Sequence, residues 1–356
     1  MLQWAFVTRT NLFGLDREAL AALLARYGAP AFHAGQIFRW LYARRSFDPE
    51  AWTDLGRELR ATLAGASAID LGRIRDRIEA KDGTVKYRVS LSGGDDVECV
   101  RMYQSSRTTL CLSSQVGCAL ACDFCLTGRM GLRRHLTPGE IVGQVALIQG
   151  DAALDGQRFN VVFMGMGEPL HNYDAVLAAI RLLVDPDGFA LSRRRITVST
   201  AGLAPAIERL AHETTRPRLA VSLNATTDEL RSRLMPINRR YGLDRLVEAC
   251  RAFAGAAGEW LTFEYVLLEG VNDSNQDVER LAALVRRLPA KLNLIPFNAV
   301  PGQLAYRAPS RQRVLEFRDR LLSLGARASV RWSRGAEARA ACGQLAILEA
   351  AGAAPT

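Results

Sequence analysis

The chain lacks any apolar run of the roughly 18 residues that a membrane-spanning helix requires, so no helical membrane partner or anchor is expected. Its first twenty residues, MLQWAFVTRTNLFGLDREAL, have no basic leading region and only a short apolar stretch before Arg9. A secretory signal is therefore not expected, and a cytoplasmic location follows. Seven cysteines among 356 residues are too few for a disulfide scaffold. No internal repeat stands out. What remains is an ordinary globular composition, 49% hydrophobic and 23% charged, long enough for one main domain with an appendage. The formal charge of +9 and a pI near 9.5 favour a polyanionic partner, nucleic acid first.

Three kinds of periodicity divide the chain. Residues 1–70 read as a helical accessory domain: Asp16 opens a helix with Leu20, Leu23 and Leu24 on one face, QIFRWLYARR follows Gly35, and a third helix is predicted from Thr53 to Leu63. Arg39, Arg44 and Arg45 suit RNA docking or a solvated face equally. Residues 71–106 alternate, and KYRVSLSGGDDVECVRM predicts a β-hairpin around Ser92–Asp96. From 107 to 346, β-branched apolar runs alternate with helical segments. Strands are predicted at 108–112, 159–164, 195–199, 218–223, 261–267, 291–295 and 327–332. This is an α/β pattern, a parallel sheet wrapped by helices, and we read it as a partial (β/α)6 TIM-like barrel whose functional residues lie at the C-terminal strand ends. The tail, residues 347–356, is expected to be disordered.

The first barrel strand leads into QVGCALACDFCLTG, where Cys118, Cys122 and Cys125 stand in a C-x3-C-x2-C run. Three thiolates at that spacing can hold an iron–sulfur cluster with one iron free, whereas a structural zinc site needs a fourth ligand. An incomplete zinc knuckle is the alternative. Later strands end in Gly165-Met166-Gly167-Glu168-Pro169, Ser199-Thr200, Ser222-Leu223-Asn224 and Phe297-Asn298. The glycines allow a ligand close to the backbone, and Glu168 can accept from an ammonium group. Singly these are turn or cap residues; their recurrence at strand ends suits a nucleoside cofactor. Cys99 and Cys250 read as inert buried thiols. Arginines at 129, 133 and 134, at 193–195, at 231 and 233, and at 239 and 240 are expected to border the barrel mouth and meet phosphates.

The cysteine run resembles the signature of the radical S-adenosylmethionine (SAM) superfamily. Together with FMGMGEPL, STAG, LMPIN, EYVLLEGVND, NLIPFN and AACGQL it is similar to the dual-specificity 23S rRNA and tRNA adenine-C2 methyltransferases, one family with the adenine-C8 enzymes of antibiotic resistance. The resemblance implies a 4Fe-4S cluster on Cys118, Cys122 and Cys125, and SAM held by Gly167, Glu168, Ser199, Ser222, Leu223, Asn224 and Asn298. It implies that Cys342 carries the methyl group as S-methylcysteine, that Glu98 accepts the proton from the substrate carbon, and that Cys111 resolves the protein–RNA adduct through a transient disulfide with Cys342. Two SAM molecules per turnover, 23S rRNA and tRNA as partners, an electron donor such as flavodoxin, and a monomeric state belong to the same expectation. Asn224 stands where the family carries histidine, and residues 334–339 lack its aspartates. C8 methylation and a noncatalytic zinc-binding RNA-associated protein are the competing readings.

Overall fold

The computed structural model describes residues 9–104, 107–154, 156–300 and 302–347. Of the tail expected to be disordered, residues 348–356 lie outside the described residues.

A ten-stranded mixed sheet organises the molecule, and its spatial order follows the chain from one edge to the other. Strands β1 (Arg73–Glu79), β2 (Val85–Ser90), β3 (Asp96–Gln104) and β4 (Arg107–Cys111) pair antiparallel. From β4 onward every pairing is parallel: β5 (Phe159–Phe163), β6 (Ile196–Thr200), β7 (Arg218–Ser222), β8 (Leu261–Leu267), β9 (Ala290–Pro296) and β10 (Ala328–Val330). Parallel neighbours need long crossovers, and helices supply them. Among the described residues no pairing joins β10 back to β4, so the barrel stays open on one side. The predicted hairpin is β2 and β3, with β1 added outside it. Its sequence, RIRDRIE, is mostly exposed and charged on both faces, which hid it from an alternation criterion.

Caps fix where the crossover helices begin. Thr137 and Glu140 form a reciprocal capping box at the helix Pro138–Asp151, and Ser274 and Asp277 repeat it at Asn275–Val285. In the N-terminal region, helix Arg17–Arg26 starts on the Asp16 side chain, which accepts from Ala19 N at 2.8 Å. The QIFRWLYARR segment is helical from His33 to Phe38 and continues as a π turn through Ala43. The third helix runs Arg57–Ala66 rather than from Thr53, because Trp52 turns into the core and Gly56 becomes the cap. Arg17 bonds Asp185 at 2.8 Å and Asp187 at 2.9 Å, and Tyr42 packs on Phe189, which seats these helices against the barrel.

Candidate active site

Beyond β4 the chain makes a small antiparallel hairpin, Gln115–Cys118 with Gly131–His135; Cys118 ends its first strand, and Cys122 and Cys125 lie in its connection. Gly117 makes this possible: its φ is +76°, and a Cβ there would lie 1.8 Å from the Gly131 carbonyl oxygen. Cys118, Cys122 and Cys125 face one cavity of about 150 Å³ at the C-terminal ends of the parallel strands. Burial pushes the Cys118 thiol up to about 12 and the Cys122 thiol well above its ordinary value. A backbone hydrogen bond at Leu120 and the charge of Arg231 oppose the rise only in part, so a cationic iron cluster would supply the missing charge.

Among the described residues, no three His, Cys, Asp or Glu side chains converge as they would around a single ion. A cluster asks for something different: one thiolate for each of three irons, spread over its corners, with the fourth iron open. The three free thiols around one cavity fit that demand and not a mononuclear zinc site.

Of the residues expected to hold SAM, Gly167, Glu168, Ser199, Ser222, Asn224 and Asn298 line the same cavity. Glu168 is buried; its carboxylate accepts from Leu170 N at 3.0 Å and Ala201 N at 2.7 Å, yet burial lifts it to about 7. Gly167, at φ +102°, brings backbone so close to Gln115 that a Cβ would sit 2.6 Å from that side chain. Asn224 holds φ +57°, a left-handed conformation asparagine tolerates, and its Oδ1 accepts from Val266 N at 2.8 Å. Leu223 is fully buried and outside the cavity wall; its carbonyl accepts from Arg231.

Cys342 also lines this cavity, and with Cys111 it walls a second, larger one of about 1080 Å³ in the barrel lumen. Its segment is tied down on several sides. Leu126 N donates to Gly343 O at 2.9 Å, Thr127 Oγ1 to Leu345 O at 2.6 Å, and Asn298 Nδ2 to Cys342 O at 3.2 Å. Ala346 N donates to Glu98 Oε2 at 3.0 Å, and Lys86 pairs with Glu98 at 2.7 Å. Glu98 thus sits beneath the Cys342 segment, outside both cavity walls; burial raises its carboxyl above the usual range while Lys86 opposes the rise.

Two residues that the motif reading passed over complete the centre. Burial raises the Cys342 thiol and pushes Cys111 up to about 12, while the Arg331 guanidinium pulls both down. Arg331 also lies 3.7 Å from Glu264, whose other oxygen accepts from Ser199 Oγ at 3.1 Å. The available signal was charge in the wrong place: Arg331 closes an apolar strand segment and Glu264 interrupts another.

The arginine clusters do not share one mouth. Arg231 is fully buried, so it is a structural residue and not an RNA contact. Arg193–Arg195 precede β6, at the end of the barrel opposite the cysteines. Arg134 is bound to Asp95 and Glu140. Arg129, Arg133 and Arg233 are exposed, the first two on the cysteine hairpin and the third on the helix whose Leu234 carbonyl accepts from Asp123 N.

Comparison with known proteins follows this geometry. Residues 112–285 match the radical SAM superfamily, and residues 10–69 match the ribosomal RNA large subunit methyltransferase N-terminal domain. The dual-specificity RNA methyltransferase RlmN of Anaeromyxobacter sp. (strain Fw109-5) is 49% identical over 95% of this chain and 91% of its own length. The chain belongs to the RlmN family of radical SAM RNA methyltransferases. The RlmN of Geobacter sulfurreducens is 47% identical over 95% of this chain and 92% of its own. The crystal structure of a radical SAM methyltransferase from Sphaerobacter thermophilus superposes with a TM-score of 0.89 at 44% identity, covering 94% of this chain and 99% of that one. The cofactors of the superfamily are a 4Fe-4S cluster and SAM, and the α/β fold with its open barrel is the one expected from the strand–helix alternation.

Proposed function

We propose that this RlmN-family enzyme methylates C2 of an adenine in 23S rRNA and in tRNA, with Cys342 as methyl carrier, Glu98 as proton acceptor and Cys111 as resolving thiol. The observation that carries this reading is the position of Cys342 between two cavities, one shared with the three cluster cysteines and one shared with Cys111. When bound, the cluster and SAM supply an electron, methyl groups and a hydrogen-abstracting radical at the open end of the barrel.

The chain's own residues do the rest. Cys118, Cys122 and Cys125 would hold the cluster, and Glu168 would accept from the SAM amino group while Ser199, Ser222, Asn224 and Asn298 would frame the remainder; Leu223, whose N–H and carbonyl are both engaged inside the protein, only supports that wall. Adenine C2 is electron-poor and does not attack a methyl electrophile, so the carbon must first be carried on a protein sulfur. Arg331, beside Cys342 and Cys111, lowers the cost of each thiolate in a buried site. Once the carbon is bonded to the base, Glu98 takes the proton from C2. The Cys111 thiolate then attacks the Cys342 sulfur; the sulfur–carbon bond breaks, its electron pair takes up a proton from Glu98 or water to complete the methyl group, the methylated base leaves, and the disulfide forms. Such an enzyme works in the cytoplasm as a monomer, with a carrier such as flavodoxin as its electron source.

The test is anaerobic turnover of the reconstituted enzyme with SAM, reductant and an rRNA fragment, followed by nucleoside mass spectrometry. We expect 2-methyladenosine; 8-methyladenosine would move the chain's chemistry to the other carbon, and no methylated base would sink the reading. Cys342→Ala should lose methylation and keep the cluster. Cys111→Ala should accumulate a covalent protein–RNA adduct, visible as a shifted band under denaturing conditions; its absence removes Cys111 from the resolving role.

A further inference from the structure

A closed barrel is filled by branched side chains, but here inward positions carry Thr109, Val162, Thr197, Ala220, Thr262 and Asn293, and a lumen of about 1080 Å³ remains. Its inner end is walled by Cys111 and Cys342. Its outer end is built at the starts of the strands, by Arg107 of β4, Arg218 of β7, Lys291 of β9 and Arg327 just before β10, all of them exposed. Seven arginine and lysine side chains line the lumen against two carboxylates. Both carboxylates are engaged: Glu259 with Arg193 at 3.2 Å and Arg194 at 3.8 Å, and Glu264 with Arg331 at 3.7 Å. The rim therefore carries a concentrated positive potential leading to the two cysteines from the end opposite the cluster.

We propose that this lumen is the binding site and entry route for a low-molecular-weight thiol carrying carboxylates, which reduces the Cys111–Cys342 disulfide. This rests on the exchange proposed above, which leaves that disulfide after every turnover and names no partner for its removal. The volume suits a small molecule; a folded domain of about 100 residues, with a radius of gyration of ~13 Å, cannot follow it inside. The first thiolate attacks one of the two protein sulfurs; the S–S bond breaks, one cysteine leaves as thiolate, and a mixed disulfide forms. A second thiolate attacks the small molecule's sulfur in that mixed disulfide and frees the other cysteine. Two thiols lose two electrons and leave as their own disulfide, and their two protons restore Cys111 and Cys342 as thiols. Entry from this end does not compete with RNA held over the cysteine hairpin.

The holoenzyme, oxidised with diamide and mapped for the Cys111–Cys342 bond, tests this directly. Rates of reduction by 3-mercaptopropionate, glutathione, 2-mercaptoethanol and cysteamine are compared at fixed ionic strength after correction for thiolate fraction. We expect the anionic thiols to react at least tenfold faster than the neutral one and cysteamine slowest, with the preference collapsing in high salt. Arg218→Glu with Lys291→Glu should abolish the preference while leaving the 2-mercaptoethanol rate and RNA affinity in place. Equal rates for anionic and neutral thiols, or a preference that survives salt and charge reversal, would overturn the proposal. Loss of RNA affinity on charge reversal would overturn it too, by assigning the lumen to the nucleic acid. Because the disulfide is made chemically, the result stands apart from the exchange reading, which fails separately if Cys111→Ala traps no adduct; a disulfide that cannot be formed at all overturns both.

Discussion

At the scale of single residues, the site works by placing groups where their ordinary charge state is disfavoured. Glu168 shows the consequence. Buried among backbone donors, it ionises near pH 7 instead of in the usual carboxylate range, so the enzyme without SAM holds a proton there under mildly acidic conditions. An ammonium ligand requires the carboxylate. Above about pH 7 the group is already ionised and affinity for SAM should be flat; below it, binding must first expel the proton, and affinity should fall by about tenfold per pH unit. Titration calorimetry on the cluster-loaded enzyme, in buffers of different ionisation enthalpy, should detect about one proton released per SAM at pH 6 and little at pH 8. Glu168→Gln should bind weakly and lose the pH dependence; an unchanged pH profile in that variant would remove Glu168 from the ammonium site. The residues that define this chemistry differ in how they show in the sequence. The three cysteines are legible because thiols at short spacing in a chain with too few cysteines for a disulfide scaffold have few other uses. Arg331 and Glu264 are not, because a charged residue at the end of an apolar strand acquires meaning only from what the fold sets opposite it.

At the scale of elements, the strand ends that frame the SAM cavity are held from behind by one buried side chain. Arg231, on the short helix Asp228–Leu234, donates to Ala201 O at 2.6 Å, Ser222 O at 3.0 Å, Leu223 O at 3.0 Å and Asn238 Oδ1 at 2.9 Å. Burial lowers its pKa only to about 10, so it remains charged at neutral pH. Arg231→Met would strand three buried carbonyls, each costing about 1–3 kcal/mol. We expect a loss of about 3–5 kcal/mol in urea unfolding of the protein, accompanied by weaker SAM binding. Arg231→Lys should recover only part of it, since a point charge cannot span four acceptors. A loss below about 1 kcal/mol would show that the strand ends hold themselves. Sequence reasoning counts this arginine among the phosphate contacts at the barrel mouth, and the reason is instructive: a basic residue on a helix looks solvated unless the carbonyl ends it satisfies are known, and those come from two strands earlier in the chain. The parallel strands themselves were legible from apolar β-branched runs between capped helices. Strand β1 was not, because its charged residues on both faces imitate a loop.

At the scale of the whole molecule, a net charge of +9 says that an anion is sought but not where. The fold resolves that by separating the basic side chains onto two ends of one barrel. Arg129, Arg133 and Arg233 lie around the cysteine hairpin, while Arg107, Arg194, Arg218, Lys291 and Arg327 line the opposite opening. Arg133 pairs with Asp95 at 3.2 Å but keeps 71% of its side chain exposed, a pair too solvated to hold it against a phosphate. If RNA binds over the hairpin, each phosphate contact releases counterions and adds roughly 0.7 to 0.9 to the slope of log affinity against log salt. Arg133→Gln and Arg233→Gln should each lower that slope by about one and weaken binding at low salt by several-fold, equally for different RNA sequences. Arg218→Gln and Lys291→Gln should leave slope and affinity alone. Filter binding of an rRNA fragment across a salt series measures all four variants in one experiment. A slope that falls with the strand-start variants and not with the hairpin variants would place the RNA at the wrong end of the barrel for this scheme. A slope insensitive to every variant would mean that the backbone contacts lie elsewhere, with the N-terminal helices and their Arg39, Arg44 and Arg45 as the next surface to change.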